Sequence, residues 1–181
     1  MIKLATCQYA IQLITTWEDY ASHLTTLVAE AAGEGARLLL MPEYSAMVLA
    51  GQLDEATRRD LFGSIAGIQP LIPRWLELCE TLARRHGIVF QPGTAPVLDP
   101  DGQYRNRAFL FGPDGPIGHQ DKQIMTRFER EQWHIAAGTD GLAAFDTPVG
   151  RLGILICYDN EFPMLGRQLA ELGVELVLAP S

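Results

Sequence analysis

Cysteine is scarce in this chain, and its three cysteines lie far apart. Cys7, Cys79 and Cys157 are odd in number and lack the paired spacing of a zinc site. They indicate no disulfide framework either, so a reducing compartment such as the cytoplasm is the expected location. Met1–Gln8 alternates like a β-strand and does not resemble a secretory signal. No apolar run reaches the length that spans a bilayer, so we expect no membrane partner.

The chain also has few positively charged residues. The 181 residues include 14 Lys and Arg against 22 Asp and Glu, which gives a formal net charge of −8 at pH 7. An acidic surface without a basic run offers little attraction to nucleic acid or anionic lipid, so neither is expected as a partner. The apolar share of 48% and the charged share of 20% are typical of a globular protein. We expect one domain over residues 1–181.

Strand and helix patterns alternate along the chain. Ile2–Gln8 predicts a first strand, and Leu38–Met41 predicts a short buried one. Between them, Thr16 can cap a helix that ends at Gly33, and this order favours a parallel strand pair. The weaker pattern of Ser45–Gly67 indicates a loop and a short helix. The later elements are, in order, a helix at Leu71–Arg85, strands at Ile88–Phe90, Tyr104–Phe111, Ile117–Lys122 and Arg151–Cys157, a helix at Phe162–Leu172 and a strand at Val174–Ala179.

These elements predict an α/β sandwich of mixed sheets with helices on the outside. When helices cover one face of a sheet, the other face must be buried by a partner sheet. The last strand, Val174–Ala179, ends two residues before the final Ser181, and no further element follows to cover it. We therefore expect either a fragment truncated at the C-terminus or a surface covered by another subunit. A homodimer or higher homo-oligomer is the expected assembly.

Cys157 is the first candidate for chemistry. Gly153–Asp159 runs a buried strand straight into this cysteine, and Pro163 then begins a helix. A strand-to-helix turn points backbone N–H groups and the helix dipole at the nucleophile, which lowers a thiol pKa and stabilises an oxyanion. A buried core cysteine is the alternative that this segment alone leaves open.

Two charged residues follow other predicted strands. Glu43 comes just after the strand Leu38–Met41, and Lys122 ends the strand that begins at Ile117. The carboxyl ends of central strands are where α/β folds place their sites. Taken singly, each residue is equally compatible with a solvated surface charge. The four histidines have no metal-ligand spacing, so no metal is expected.

Together these residues resemble the signature of the nitrilase superfamily. Pro42-Glu43, Asp121-Lys122 and Cys157-Tyr158-Asp159 occur in that family's order and at about its separations. Further matches are Gln8, Asn106-Arg107, Gly138, Phe162-Pro163, Arg167 and Ala179-Pro180-Ser181. The resemblance covers the whole chain and implies an αββα sandwich that is incomplete at its C-terminal end. It also implies a carbon–nitrogen hydrolase that acts on a small molecule and needs no cofactor.

The resemblance implies a role for each of these residues. Cys157 is the nucleophile that attacks an amide carbonyl, and Glu43 is the base that passes the thiol proton to the leaving amine. Lys122 and the backbone N–H of Tyr158 stabilise the oxyanion. Water activated by Glu43 then releases the acid from a thioester.

The family also has a second glutamate shortly after the lysine. Glu129 and Glu131 are both candidates, and counting back from Gly138 favours Glu131. Its implied role is to position Lys122 and the substrate without exchanging protons.

The substrate and the alternatives stay open at this point. Tyr158-Asp159 after the cysteine resembles the amidase and carbamoylase branches, whereas nitrilases more often have Trp-Glu there. A small amide or N-carbamoyl compound therefore ranks above a nitrile. An ordinary Cys–His hydrolase would need a histidine beside Cys157, and His119 is the one on a nearby strand. The non-enzyme alternative is a catalytically silent binding module on the same fold.

Overall fold

Two β-sheets form the middle of the structure, a computed structural model that describes residues 2–181. The strands are β1 (Leu4–Thr6), β2 (Leu38–Leu40), β3 (Val89–Gln91), β4 (Thr94–Leu98), β5 (Tyr104–Gly112), β6 (Gly115–Asp121), β7 (Ile135–Ala136), β8 (Ala144–Thr147), β9 (Gly150–Ile154) and β10 (Leu176–Leu178). The α-helices are α1 (Trp17–Gly33), α2 (Glu55–Arg59), α3 (Leu61–Ile68), α4 (Ile72–His86), α5 (Arg127–Glu131) and α6 (Pro163–Glu171). Among residues 2–181, no helix combines the length and the apolar composition needed to cross a membrane.

The larger sheet is mixed. Its order is β1-β2-β3-β5-β4, and β6 and β7 also pair with β5. Strands β1, β2 and β3 run parallel to one another, while β3, β4 and β6 are antiparallel to β5. The smaller sheet has the order β10-β9-β8, with β10 parallel and β8 antiparallel to β9. The parallel pair β1–β2, joined through α1, is the strand–helix–strand unit predicted from the sequence.

Alternating side chains give the larger sheet two apolar faces. Leu39 and Phe90 share one core with Leu24 of α1 and Trp75 of α4. The opposite face packs on the smaller sheet through Leu38, Val89, Ala108 and Leu110 against Phe145, Leu152, Ile154 and Leu178. The smaller sheet therefore buries the face that the helices leave open, as the strand pattern requires.

Helix α6 covers the outer face of the smaller sheet. Leu169 of α6 is fully buried, and a Cβ atom at Gly153 would lie only 2.8 Å from its Cδ1 atom. The missing side chain at Gly153 is therefore what lets α6 approach β9 closely. The layers run in the order α1 and α4, larger sheet, smaller sheet, α6, which confirms the predicted αββα sandwich.

Some boundaries differ from the prediction. The first strand is shorter, since β1 ends at Thr6, and Met1 lies outside the described residues. The chain after β2 is more helical than predicted, because a 3₁₀ helix (Ser45–Gln52) is followed by both α2 and α3. The missed signals are two aspartate caps: the side chains of Asp54 and Asp60 accept backbone N–H bonds at the starts of α2 and α3.

Candidate active site

Glu43 lies just beyond the carboxyl end of β2, in a turn that the neighbouring loop fixes. The N–H of Tyr44 donates to Oγ1 of Thr94 at 2.7 Å, and Tyr44 itself has a left-handed φ of 55°. Gly93 has φ +82°, and a Cβ atom there would lie 2.1 Å from the carbonyl oxygen of Pro42. Only glycine accepts both the positive φ and that close approach. The loop after β3 therefore holds the backbone that carries Glu43.

Lys122 follows β6 directly and is buried. Its N–H donates to the carbonyl of Asn106, and its own carbonyl accepts from Gly138, both at 2.9 Å. Its side chain is 1% exposed, and Nζ donates at 2.7 Å to Oε1 of Glu43 and at 2.7 Å to Oε2 of Glu129. The surface-charge alternative for Lys122 is therefore wrong. A buried ammonium needs such carboxylate partners to offset its desolvation.

The charge states of Lys122 and Glu129 follow from their contacts. Burial is the largest influence on the pKa of Lys122 and lowers it, but bonds and charges from Glu129 and Glu43 more than offset this, so the pKa is raised. For Glu129, burial raises the pKa, yet the hydrogen bonds from Lys122, Tyr44 and Thr126 together lower it below its ordinary value. Lys122 is therefore an ammonium and Glu129 a carboxylate at neutral pH.

The second glutamate beside Lys122 is Glu129, so the prediction that Glu131 holds the lysine is wrong. Glu129 is 3% exposed and also accepts a 2.7 Å bond from the hydroxyl of Tyr44. Glu131 lies on the solvent side of α5, where its carboxylate pairs with Arg127 at 2.9 Å. Residues two apart on a helix point in different directions, so only one of them can face the lysine. The capping box of Thr126 and Glu129 was the available sequence signal.

Cys157 begins a 3₁₀ helix (Cys157–Glu161) and does not end a strand, because β9 stops at Ile154. Its φ is 46°, a left-handed value that is uncommon for a residue with a side chain. Its N–H donates to the carbonyl of Pro180 at 2.9 Å, and its carbonyl accepts from Nδ2 of Asn160 at 3.1 Å. Strained conformations of this kind persist where the surroundings hold them, and they are frequent in functional sites.

The thiol of Cys157 lies near enough to Glu43 for the carboxylate to act on its pKa. Burial, then the charge of Glu43 and a hydrogen bond with it, raise the pKa of Cys157 above its ordinary value. The charge of Lys122 and a hydrogen bond with Ser181 act in the opposite direction but do not offset this. The expectation of a lowered thiol pKa is therefore wrong, because burial and the charge of Glu43 together outweigh the charge of Lys122. The structure brings Glu43, Lys122 and Cys157 together, with Cys157 as a neutral thiol.

Two further residues of the site had no predicted role. Nδ2 of Asn106 donates to Oε1 of Glu43 at 2.9 Å and to Oε1 of Glu129 at 3.1 Å, so it links the two carboxylates. Asp159 is fully buried and accepts backbone N–H bonds from the loop after Lys122. Both residues belong to segments quoted for the family resemblance, but their contacts depend on chain segments that are distant in sequence.

The side chains of Tyr158 and His119 lie apart from the side chains of Glu43, Lys122 and Cys157. Tyr158 is 38% exposed, and its ring packs edge-on against that of Phe162 at a centroid distance of 5.1 Å. The ring of His119 lies 6.2 Å from that of Phe109, on the side of the larger sheet that faces Trp75 of α4. The Cys–His alternative therefore gains no support from the geometry, and the oxyanion role of the Tyr158 N–H stays a prediction.

A cavity of about 680 Å³ opens beside Glu43. Its lining includes Tyr44, Ser181, Met47 and the segment from Cys7 to Ile11. Most of this lining is apolar. A cavity of this size and character is suited to a small organic molecule.

One family model matches nearly the whole chain: carbon-nitrogen hydrolase, over residues 3–181. The chain is 30% identical to the probable hydrolase YhcX of Bacillus subtilis over 179 residues, which are 99% of this chain and 34% of that protein. It is 32% identical to a nitrilase of Pyrococcus abyssi over 181 residues, 100% of this chain and 65% of that one. It is 28% identical to omega-amidase NIT2 of Danio rerio, covering 98% of this chain and 62% of that protein. The chain thus spans less than two thirds of the length of these relatives.

Solved structures share the fold. A carbon–nitrogen hydrolase from Helicobacter pylori G27 superposes with a TM-score of 0.81 at 20% identity, over 99% of this chain and 59% of that one. A second match is a variant of the amidase from Nesterenkonia sp. AN1, in which acrylamide has added to the active-site cysteine. It gives a TM-score of 0.77 at 21% identity, over 99% of this chain and 66% of that one. At these identities the likeness supports the αββα fold.

Proposed function

The chain belongs to the carbon–nitrogen hydrolase family, and on that basis we propose that it hydrolyses the carbon–nitrogen bond of a small linear amide. The observation that carries the proposal is the set of contacts at Glu43. Its carboxylate accepts a 2.7 Å bond from Lys122 and lies near enough to Cys157 for its charge to raise the pKa of the thiol. A carboxylate placed between a thiol and an ammonium is well arranged to move a proton from sulfur to a leaving nitrogen.

In the first half of the proposed reaction, Sγ of Cys157 attacks the carbonyl carbon while Glu43 takes the thiol proton. A base is needed because the pKa of this thiol is raised, so little thiolate is present beforehand. The ammonium of Lys122 and the N–H of Tyr158 stabilise the oxyanion. Glu43 then gives its proton to the nitrogen, the carbon–nitrogen bond breaks, and ammonia or an amine leaves a thioester on Cys157.

In the second half, water replaces the amine. Glu43 takes a proton from the water as its oxygen attacks the thioester carbon, and the same cation stabilises the second oxyanion. The carbon–sulfur bond breaks, Glu43 returns the proton to the sulfur of Cys157, and the carboxylic acid leaves. The site is then in its starting state, so one base serves both halves.

Glu129 and Asn106 support this chemistry by holding other side chains in place: Glu129 holds Lys122, and Asn106 holds Glu43. Lys122 has one bond to Glu43 and one to Glu129. When Glu43 accepts the thiol proton, it loses its negative charge and attracts Lys122 less, which leaves the ammonium free to stabilise the oxyanion. Glu129 stays charged, because its pKa is lowered, and so keeps the ammonium from moving out of the site.

We propose an amide or an N-carbamoyl compound as the substrate, on the grounds of Tyr158-Asp159 after the nucleophile. A nitrile is the second candidate, since one relative at 32% identity is named a nitrilase. A soluble cytoplasmic homo-oligomer remains our expectation for the whole protein.

An ammonia-release screen tests the proposed function. The panel contains short aliphatic amides, ω-amides of dicarboxylic acids, N-carbamoyl amino acids and nitriles, each incubated with the native protein and with Cys157→Ala. Acid quenching during turnover, followed by mass spectrometry, should detect the acyl group on the peptide that carries Cys157. Ammonia release that persists in Cys157→Ala, or an acyl group on a different residue, would exclude this mechanism.

A further inference from the structure

Asp159 is a buried carboxylate that takes no part in the proposed proton transfers. It has 0% exposure and lies in the same 3₁₀ helix as Cys157. Its Oδ1 accepts the N–H of Ile124 at 2.8 Å and that of Gln123 at 3.2 Å. Its Oδ2 accepts the N–H of Ile156 at 3.1 Å. Both oxygens are therefore used as acceptors of backbone donors.

These bonds join the two segments that carry the nucleophile and the cation. Ile156 immediately precedes Cys157, and Gln123 immediately follows Lys122. We infer that Asp159 is a positioning residue that fixes the placement of the Lys122 ammonium relative to the Cys157 thiol. The inference rests on the function proposed above, because it assigns Asp159 to the geometry of that reaction.

The chemistry of the side chain explains why an aspartate stands here. An ionised carboxylate offers two acceptor oxygens and no donor, which matches backbone donors on two sides. An asparagine of the same shape would turn an NH₂ group towards one of those donors and lose the bond. Burying a carboxylate costs free energy, and burial raises the pKa of Asp159 above its ordinary value, while the N–H bonds from both segments lower the pKa and so offset part of that cost.

The pH dependence of Cys157 alkylation tests the inference with Asp159→Asn. The rate of iodoacetamide labelling is followed by mass spectrometry on the peptide that carries Cys157, so that Cys7 and Cys79 do not contribute. Because the charge of Lys122 lowers the pKa of this thiol, a displaced ammonium should move the midpoint of alkylation to higher pH. Turnover should fall by about 10²-fold, the loss expected for a misplacement of about 1 Å.

Asp146→Asn is the matched control. It makes the same substitution at a carboxylate that is 80% exposed and pairs with Arg151, so neither the midpoint nor turnover should change. A purely structural role of Asp159 would lower the melting temperature but leave the midpoint of the folded protein where it was. A folded Asp159→Asn protein with unchanged midpoint and unchanged turnover overturns the inference.

A second variant covers the case in which Asp159→Asn does not fold. Asp159→Glu keeps both acceptors but lengthens the side chain by one methylene group, so it should displace the segment after Lys122. Unchanged alkylation and turnover in Asp159→Glu would also overturn the inference. If the native protein hydrolyses no amide, the proposed function fails, while the alkylation comparison still reports on Asp159.

Discussion

Nζ of Lys122 lies 2.7 Å from Oε1 of Glu43, although the two residues are 79 positions apart in the sequence. The pair connects the loop after β2 with the end of β6, across the intervening strands of the larger sheet. Glu129 provides a second 2.7 Å bond to the same ammonium. Because the Lys122 side chain is 1% exposed, its charge depends on these carboxylates and not on water. The proposed roles of Glu43, Lys122 and Glu129 are therefore coupled.

Replacing each glutamate of α5 by glutamine distinguishes the role of the buried Glu129 from that of the exposed Glu131. Glu129→Gln removes a charge that faces Lys122, so we expect turnover to fall by at least about tenfold. The free energy of unfolding should fall by about 3 kcal/mol, as for removal of one partner of a buried ion pair. Steady-state kinetics and urea unfolding measure the two effects.

Glu131→Gln is the control for that change. Glu131 lies on the same helix but pairs only with the exposed Arg127, so its free energy of unfolding should change by less than about 0.5 kcal/mol. Turnover should stay at the native level. Equal losses in the two variants would contradict the assignment of Glu129.

Glu43→Gln should increase the reactivity of Cys157 towards iodoacetamide while it removes turnover. The charge of Glu43 and its hydrogen bond raise the pKa of the thiol, so removing them lowers that pKa. At a pH below the native midpoint, a larger share of the sulfur is then thiolate and alkylation is faster. Turnover should fall by about 10²–10⁴-fold because the base is lost.

Lys122→Met should shift the alkylation in the opposite direction. The lysine charge lowers the pKa of Cys157, so its removal raises the pKa and slows alkylation at any pH below the native midpoint. Rates measured from pH 6 to pH 10 on the Cys157 peptide give both midpoints. Shifts of the same sign in Glu43→Gln and Lys122→Met would contradict the electrostatic account of this thiol.

Gly93→Ala should destabilise the protein and reduce turnover together. A Cβ atom there would lie 2.1 Å from the carbonyl of Pro42, so the backbone that carries Glu43 must move. Gly87 is the control, since its φ is also positive at +62° but nothing lies within 4 Å of its Cβ position. Gly87→Ala should cost only the left-handed penalty of about 1–2 kcal/mol. Thermal unfolding should show a clearly larger loss for Gly93→Ala, and only that variant should lose activity.

His119→Ala tests the Cys–His alternative. His119 packs beside Phe109 on the helix side of the larger sheet, so its removal should leave turnover within about twofold of native, as for a residue outside the chemistry. A loss as large as that of Glu43→Gln would instead favour histidine as the base. Ammonia release under the conditions of the native enzyme is the measurement.

The apolar periodicity and capping residues of the sequence predicted the parts of the structure that depend on residues close together in the chain. The period of the apolar residues predicted the helices α1 and α4, the parallel pair β1–β2 and a second sheet on the open face, because burial imposes that period on each element. Glu43, Lys122 and Cys157 were predicted as the candidate site from the resemblance of their order and spacing to the nitrilase superfamily, and each falls at the end of a predicted strand. The Thr16 cap was also evident from the sequence, and its side chain accepts the N–H of Asp19.

Tertiary contacts decided what depends on distant residues. Glu129 and Glu131 lie two residues apart on α5, and the fold places Lys122 opposite only the face that carries Glu129. The pKa of Cys157 is raised and not lowered, because burial and the charge of Glu43, brought from the loop after β2, outweigh the charge of Lys122. Electrostatic interactions and side-chain hydrogen bonds act over a few ångströms in space whatever the separation in sequence. The sequence alone therefore identified which residues could react, and the fold determined their protonation and their partners.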